Sequence, residues 1–390
     1  MTTENRWLLP EGIDELLPER AAQLEFLRRR LLDQCATWGY RYVIPPLVEF
    51  TDSLLVGLGV DLDVVTCKFT DQMSGRMMGV RADITTQTAR IDAHSLAEDG
   101  VTRLCYAGST LQSTPQSGVS GRAPIQLGAE LYGSDCIEAD AEVITLMLSM
   151  FEAAGVKRGL TLDIGHIGIY DALFSDAGLD ADLEAQIFDA LQRKSTPDIE
   201  RLTSALPADI ASKLLTLSAL HGSLDVMGDA RKALGGEPVV VEALDELEAA
   251  LTQVQQSYPD VDVYIDLTEL RGFRYHTGLV FAVYLEGRGS AVAKGGRYDN
   301  IGAVFGRDRP ATGFAIDLKA LVDDAESIEI GDLPVIAPQL DDATLHKVIS
   351  ALRSAGRVVV IDVPPGVALP DAERLVHREG QWVTERETAS

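Results

Sequence analysis

Between Pro18 and Trp38, the residues Leu24, Leu27, Leu31, Cys35 and Trp38 recur at three- and four-residue steps, while Arg28, Arg29 and Arg30 fall largely on the other side. That spacing predicts an amphipathic helix, stopped by Gly39. Arg41-Tyr-Val-Ile-Pro45 then reads as a short strand closed by Pro45-Pro46. A second helix is predicted from about Asp140 to Ala154, with Val143, Met147, Met150 and Phe151 on one side and Gly155 at its end. Between the two helices the pattern changes to short strands and glycine-containing turns: Arg103-Leu-Cys-Tyr106, Pro124 to Tyr132, and the segment before Thr85.

Near residue 168 the text becomes leucine- and alanine-rich with helical spacing, and stays so to about Tyr258, interrupted at Pro197, Pro207, Gly222 and Gly235-Gly236. This reads as a compact helical insertion. Strands return at Val261 to Leu267, Leu279 to Leu285 and Ala291-Val-Ala-Lys294. Strands, a helical block and strands again predict an α+β fold, an antiparallel sheet flanked by helices. After about Gly331 follows a short β-α-β-like tail: Pro334-Val-Ile-Ala337, a helix near Ala343–Ser354, and Arg357-Val-Val-Val-Ile361. The expected division is therefore a core of residues 1–325, interrupted by the insertion at 168–258, and a C-terminal α/β segment at 331–390.

The chain has 390 residues, enough for two or three domains with a packed core. Its 34 basic and 60 acidic side chains leave a formal charge of −26. That balance opposes gripping a nucleic-acid backbone, which depends on clustered Lys and Arg, and suits a basic partner or a cationic ligand. Cys35, Cys67, Cys105 and Cys136 form no C-x-x-C pair, so they read as free thiols in a reducing compartment. The first twenty residues show no basic-then-apolar leader and no run of ~18 apolar residues occurs, so a cytoplasmic location is expected.

Three stretches group polar side chains where chemistry can sit. In Gln126-Leu-Gly-Ala-Glu130, strand periodicity puts Gln126 and Glu130 on one face with the bare Gly128 between them, either a pocket floor or a solvated sheet face. Arg81, Asp83 and Thr85 fall together at period two on a strand and supply a donor, an anion and a hydroxyl; an Arg81–Asp83 surface pair is the plainer alternative. In Leu270-Arg-Gly-Phe-Arg-Tyr-His-Thr-Gly278 and Ala293-Lys-Gly-Gly-Arg-Tyr-Asp-Asn300, the cations Arg271, Arg274, Lys294 and Arg297 gather positive charge. Arg271 can hold a carboxylate bidentately, and Tyr275 and His276 can stack on and hydrogen-bond a small ring; a tight hairpin with incidental charges is the alternative. There is no G-x-x-x-x-G-K-[ST] loop, no G-x-S-x-G elbow and no H-x-x-x-H helix among the six histidines, so no metal or cofactor is expected. His94 and His166 read as structural or exposed residues.

Taken in order, these segments resemble the catalytic core of a class II aminoacyl-tRNA synthetase of the histidyl type. The resemblance runs from Leu9-Pro-Glu-Gly-Ile-Asp-Glu-Leu-Leu-Pro18 to Ala311-Thr-Gly-Phe-Ala-Ile-Asp-Leu318. Trp38-Gly-Tyr-Arg-Tyr with Pro45-Pro46 corresponds to motif one, the dimer interface of that family. Arg103 to Gly133 corresponds to motif two and Gly313 to Leu318 to motif three, while Leu270-Arg-Gly and Gly295-Gly-Arg-Tyr-Asp299 are similar to the two histidine-specific signatures. The resemblance implies that Asp83 and Thr85 meet an α-ammonium group, that Gln126, Glu130 and Arg271 complete a histidine cradle, and that Tyr275 and His276 border it. Asp83 stands for the family's Glu and is one methylene shorter.

Two departures separate the chain from a working synthetase. The motif-two arginine is answered by Gln112 in Gly108-Ser-Thr-Leu-Gln112, and the motif-three arginine position is Ala320. In the family those arginines hold ATP phosphates, and losing such a group typically costs ~10²–10³ in rate. Lys319 is adjacent to the second, but a neighbouring helical residue points about 100° away. The tail is also short for an anticodon-binding domain. Arg271-Gly-Phe-Arg-Tyr-His-Thr-Gly and Val304-Phe-Gly-Arg-Asp-Arg-Pro-Ala-Thr-Gly313 resemble one synthetase paralogue family in particular, the regulatory subunits of short-form ATP phosphoribosyltransferase, the first enzyme of histidine biosynthesis. This resemblance implies a non-catalytic chain that joins the short catalytic subunit in a hetero-octamer of four and four, activates it, and mediates feedback inhibition by histidine. An active histidyl-tRNA synthetase and a free-standing histidine-binding module are the alternatives.

Overall fold

The computed structural model describes residues 7–55, 63–115, 121–174, 177, 179–204, 206–268, 276–327, 333–364, 366, 369 and 371–386. The chain divides into two compact units, Met1–Glu326 and Ser327–Ser390.

In the first unit, helix α1 spans Pro18–Thr37 and buries Leu24, Leu27, Leu31 and Cys35, the stripe its spacing predicts. Pro18 sits in its first turn, where no amide hydrogen is needed, and Gly39 at φ +81° ends it. Among the described residues a nine-stranded sheet forms the frame. Its strands are β1 (Arg41–Tyr42), β5 (Thr102–Ser109), β6 (Ile125–Tyr132), β7 (Leu160–His166), β8 (His221–Gly222), β9 (Asp262–Asp266), β10 (Leu279–Leu285), β11 (Ala293–Arg297) and β12 (Ala311–Asp317). They lie in the order β1-β5-β6-β12-β11-β10-β7-β9-β8. A separate three-stranded sheet joins β2 (Val48–Phe50), β4 (Met77–Val80) and β3 (Cys67–Thr70) in that order.

The large sheet is antiparallel except at two junctions, β1 with β5 and β7 with β9, which are parallel. A parallel neighbour needs a long crossover. Between β7 and β9 the helical insertion is that crossover, and between β1 and β5 the small sheet and the helix that follows it are. The insertion comprises helices Ile167–Phe174, Ala181–Gln192, Thr196–Thr203, Ala208–Ala219, Asp225–Leu234 and Pro238–Ser257. Its last helix lays Val240, Leu244, Leu247, Leu251 and Val254 into the same apolar core as the sheet, so the insertion shares the core of the first unit.

Paired residues on neighbouring strands point to the same face, which sorts the sheet into two surfaces. Leu127, Ala129 and Leu131 of β6, Phe314 and Ile316 of β12, Phe281 and Val283 of β10, and Leu162 and Ile164 of β7 form the apolar face. It is covered by α1, by the helix Ile137–Ala153 and by Pro238–Ser257. The middle helix is buried around most of its girth, wider than a single stripe, because helices and sheet enclose it together. The opposite face carries Tyr106, Gln126, Gly128, Glu130, Gly313, Ala315 and Gly296, polar side chains set among residues with little or no side chain.

The second unit has a four-stranded sheet in the order β14-β13-β15-β16, from β13 (Val335–Pro338), β14 (Val359–Asp362), β15 (Glu373–Arg378) and β16 (Gln381–Arg386). Helix Ala343–Ser354 joins β13 to the parallel β14, and Val335, Ala337, Leu345, Ile349, Val359 and Leu375 form the core. The β-α-β reading is extended here by the hairpin β15–β16, whose strands alternate with charged residues and bury little beyond Leu375.

Candidate functional site

The polar face converges on Glu130, whose side chain lies over the bare Gly313 of the neighbouring strand. Only 1% of the residue is exposed. One carboxyl oxygen accepts the hydroxyl of Tyr106 at 3.0 Å, and the other accepts the hydroxyl of Tyr298. Tyr106 belongs to β5 and its ring occupies the space above Gly128, where any Cβ would strike it. Gly128 therefore makes room for an aromatic ring, and the sequence expectation of an empty pocket floor is corrected. Tyr106 Oη in turn lies 3.2 Å from Thr85 Oγ1.

Thr85 opens the short helix Thr85–Arg90, and Asp83, one residue before its N-cap Ile84, accepts the Thr85 amide on Oδ1 at 2.7 Å. Asp83 Oδ2 accepts Gln126 Nε2 at 2.7 Å, while Gln126 Oε1 accepts the Ile84 amide at 3.0 Å. Asp83, Thr85, Gln126 and Glu130 are thus brought together in one hydrogen-bonded chain, with Tyr106 as the link. The route differs from the one expected. Strand β4 stops at Val80, so Arg81, Asp83 and Thr85 share no strand face. Arg81 is buried and donates to the carbonyls of Ser109 and Pro45, which holds the turn but leaves Asp83 to Gln126. The Arg81–Asp83 surface pair does not form.

Burial pushes the Glu130 carboxyl up to about 8, and the negative charge of Asp83 adds to the rise. The two tyrosine hydroxyls pull the other way, and burial wins. The Tyr106 phenol is held well above its ordinary range by burial and by Glu130.

His276 lies over Gly296 of β11, which pairs with Gly313, so His276 and Glu130 occupy adjacent positions on one face. Thr277 donates its hydroxyl to Asp299 at 2.8 Å and fixes the turn that follows. Arg271, Arg274 and Tyr275 lie outside the described residues. Arg297 is no pocket cation: it points to the other side of β11 and binds Asp140 Oδ2 at 2.7 Å in a buried pair. Tyr106 and Tyr298 are network residues that the sequence pattern does not mark. Both stand in segments already quoted, but only strand register shows that one fills the gap over Gly128 and both close on Glu130.

At the two positions where the resemblance places phosphate-binding arginines, the backbone is ordered around other groups. The Gln112 carbonyl accepts Arg122 Nε–H at 2.9 Å, and the Gln112 amide donates to the Arg122 carbonyl at 2.8 Å. Ala320 is packed in the core, and Lys319 Nζ is paired with Asp14 at 2.7 Å. Asp14 takes up the lysine that stood nearest to the missing arginine.

The sequence model of the Histidyl-tRNA synthetase family matches residues 12–321, and that of the ATP phosphoribosyltransferase subunit HisZ C-terminal domain matches residues 333–385. The chain is 48% identical to an ATP phosphoribosyltransferase regulatory subunit of Marinobacter nauticus, over 99% of both chains. It is 51% identical to the subunit of the same name from Thioalkalivibrio sulfidiphilus, over 92% of both. The chain belongs to the family of ATP phosphoribosyltransferase regulatory subunits. Its fold is similar to a solved ATP phosphoribosyltransferase regulatory subunit/histidyl-tRNA synthetase from Bacillus halodurans, with a TM-score of 0.81 and 26% identity over 93% of this chain and 94% of that one. The class II synthetase-like α+β fold is thereby shown. The polar face of this fold carries Asp83 and Glu130 at the two ends of its hydrogen-bonded chain. Among the described residues no helix is long and apolar enough to cross a membrane.

Proposed function

We propose that this chain is the non-catalytic, histidine-sensing partner of a short ATP phosphoribosyltransferase catalytic subunit. Asp83, Thr85, Gln126 and Glu130 cradle the amino acid, Arg271 takes its carboxylate, and Tyr275 and His276 border its ring. The observation that carries the reading is an asymmetry. The carboxylates and hydroxyls able to hold an ammonium and an imidazole are connected, from the half-buried Asp83 and Thr85 to the buried Glu130, whereas the positions for phosphate-binding cations hold Gln112 and Ala320, with Lys319 committed to Asp14. A neutral amide and a methyl supply no charge to a developing phosphoryl transition state.

Two acidic groups, Glu130 buried and Asp83 half-buried, suit a ligand that presents two nitrogen donors, as histidine does. The chain joins the catalytic subunit in a cytoplasmic hetero-octamer of four and four, raises its turnover, and lowers it again when histidine binds. Such coupling requires different histidine affinities in the active and inhibited states, typically by ~1–3 kcal/mol. The test is turnover of the short catalytic subunit alone, with this chain, and with this chain plus histidine. The expected order is low, high, low. Turnover indifferent to this chain, or activated turnover indifferent to histidine, removes the reading.

A further inference from the structure

The buried carboxyl of Glu130 has two hydroxyl neighbours, and they are not equivalent. Tyr298 is enclosed, with 2% of its surface exposed, and stands beside the buried Tyr132. Tyr106 passes the network on, 3.0 Å to Glu130 and 3.2 Å to Thr85, which is half-buried and donates its amide to the half-buried Asp83. Tyr106 is therefore the bridge between the two acidic ends of the pocket, and the connection from Glu130 to the more open end.

We propose, on the footing of the histidine-sensing function above, that Tyr106 is a positioning residue that makes histidine uptake proton-linked: a ring N–H of the ligand takes the place of the proton held by Glu130. The O–H bond of the Glu130 carboxyl breaks and the carboxylate accepts the ligand's N–H; the proton goes to Tyr106 Oη as that hydroxyl turns its own hydrogen from Glu130 to Thr85, and the Thr85 hydroxyl releases one to a buffer base in solvent. No electrons are transferred.

The surroundings of Glu130 favour the neutral acid before the ligand arrives. From β5 it faces Tyr106, from its own strand Tyr132, from the segment after β11 Tyr298, and from the turn before Thr85 the acid Asp83. His276 lies over the next glycine of the same face, and Arg309, behind Tyr132, is neutralised by Asp92 at 2.9 Å. Two carboxylates ionised in one enclosed site repel one another, so one keeps its proton. The more deeply buried is Glu130, whose carboxyl is pushed up to about 8. A ligand cation at Asp83 and a ring N–H at Glu130 remove both reasons for keeping it. The Tyr106 hydroxyl, which favours the carboxylate, sets how far below that point the exchange begins.

The experiment is titration calorimetry of the full chain with L-histidine at pH 7.5 in phosphate, HEPES and Tris, followed by affinity against pH. The expected heats differ with the ionisation enthalpy of the buffer and give between about half and one proton released per histidine, and affinity rises about tenfold from pH 6.5 to 7.5. Tyr106→Phe, which keeps the ring over Gly128, moves the pH at which affinity levels off upward. Glu130→Gln, binding more weakly, shows neither buffer dependence nor the tenfold rise. Histidine binding with the same heat in all three buffers overturns the proton link and leaves the sensing function standing. An unchanged pH profile in Tyr106→Phe overturns the role of Tyr106, and no histidine binding at any pH overturns both readings.

Discussion

Lys319 Nζ lies 2.7 Å from Asp14 Oδ1, joining the motif-three helix to the N-terminal segment across 305 positions. The lysine is buried and the aspartate is half-exposed, so the pair is a clasp held from one side. Asp14→Ala is expected to lower stability by about 1–3 kcal/mol, because it strands a buried ammonium, as measured by denaturant unfolding. The same variant is expected to show no histidine-dependent exchange of pyrophosphate into ATP, since freeing Lys319 does not rebuild a phosphate site.

Ala320→Arg tests the same point from the other side. Ala320 is in the apolar core, so a guanidinium there is expected to unfold the chain or expel the helix without creating activity. A folded variant with pyrophosphate exchange would reinstate the synthetase.

The stability of the ligand-free chain is expected to fall as pH rises from about 5 to 8. The reason is Glu130: its carboxyl titrates near 8 when folded and near 4.5 when unfolded. Between those values the folded state holds a proton that the unfolded state has released, so raising pH favours unfolding. The effect is on the order of a few kcal/mol. Unfolding midpoints of the wild type and Glu130→Gln, compared across this range, should draw apart with the wild type losing more.

Gly128→Ala is expected to cost about 1–3 kcal/mol, because the added methyl meets both the Tyr106 ring and the Phe314 carbonyl. It should weaken histidine binding by more than its effect on stability suggests, because displacing Tyr106 breaks the link to Thr85. Calorimetry beside thermal unfolding separates the two losses.

Arg297→Met is expected to destabilise by about 3–5 kcal/mol, since it leaves Asp140 as an unpaired buried charge in the helix Ile137–Ala153. Glu130→Ala acts differently: feedback by histidine should weaken while the variant still co-elutes with the catalytic subunit. Inhibition equal to wild type would move the effector site elsewhere.

Periodicity was sufficient for the elements whose surroundings are uniform. Helix α1 begins at Pro18 and buries the stripe its spacing marks, β10 spans Leu279–Leu285 as expected, and the second unit's helix spans Ala343–Ser354. It failed where a local side-chain-to-backbone hydrogen bond competes with the strand pattern. Alternation at Arg81, Asp83 and Thr85 suggests a strand, but the Asp83 side chain captures the Thr85 amide and turns the chain into a helix. It failed again at Arg297, whose charge reads as a pocket cation until Asp140, 157 positions away, is seen beside it.

The amino-acid sequence determined which groups stand at the positions that the synthetase motifs mark: two carboxylates, an amide and a hydroxyl at Asp83, Glu130, Gln126 and Thr85, and Gln112 and Ala320 where the synthetases carry arginine. Their roles are what the family resemblance implies, and that resemblance is carried by the order of the motifs along the chain. Tertiary structure alone decided what those groups do. Strand register seats Tyr106 over Gly128 and Glu130 over Gly313, burial makes one acid reluctant to ionise, and Asp14 takes Lys319 out of play. Hydrogen bonds and desolvation depend on distances between residues far apart in the chain, and only folding sets those distances.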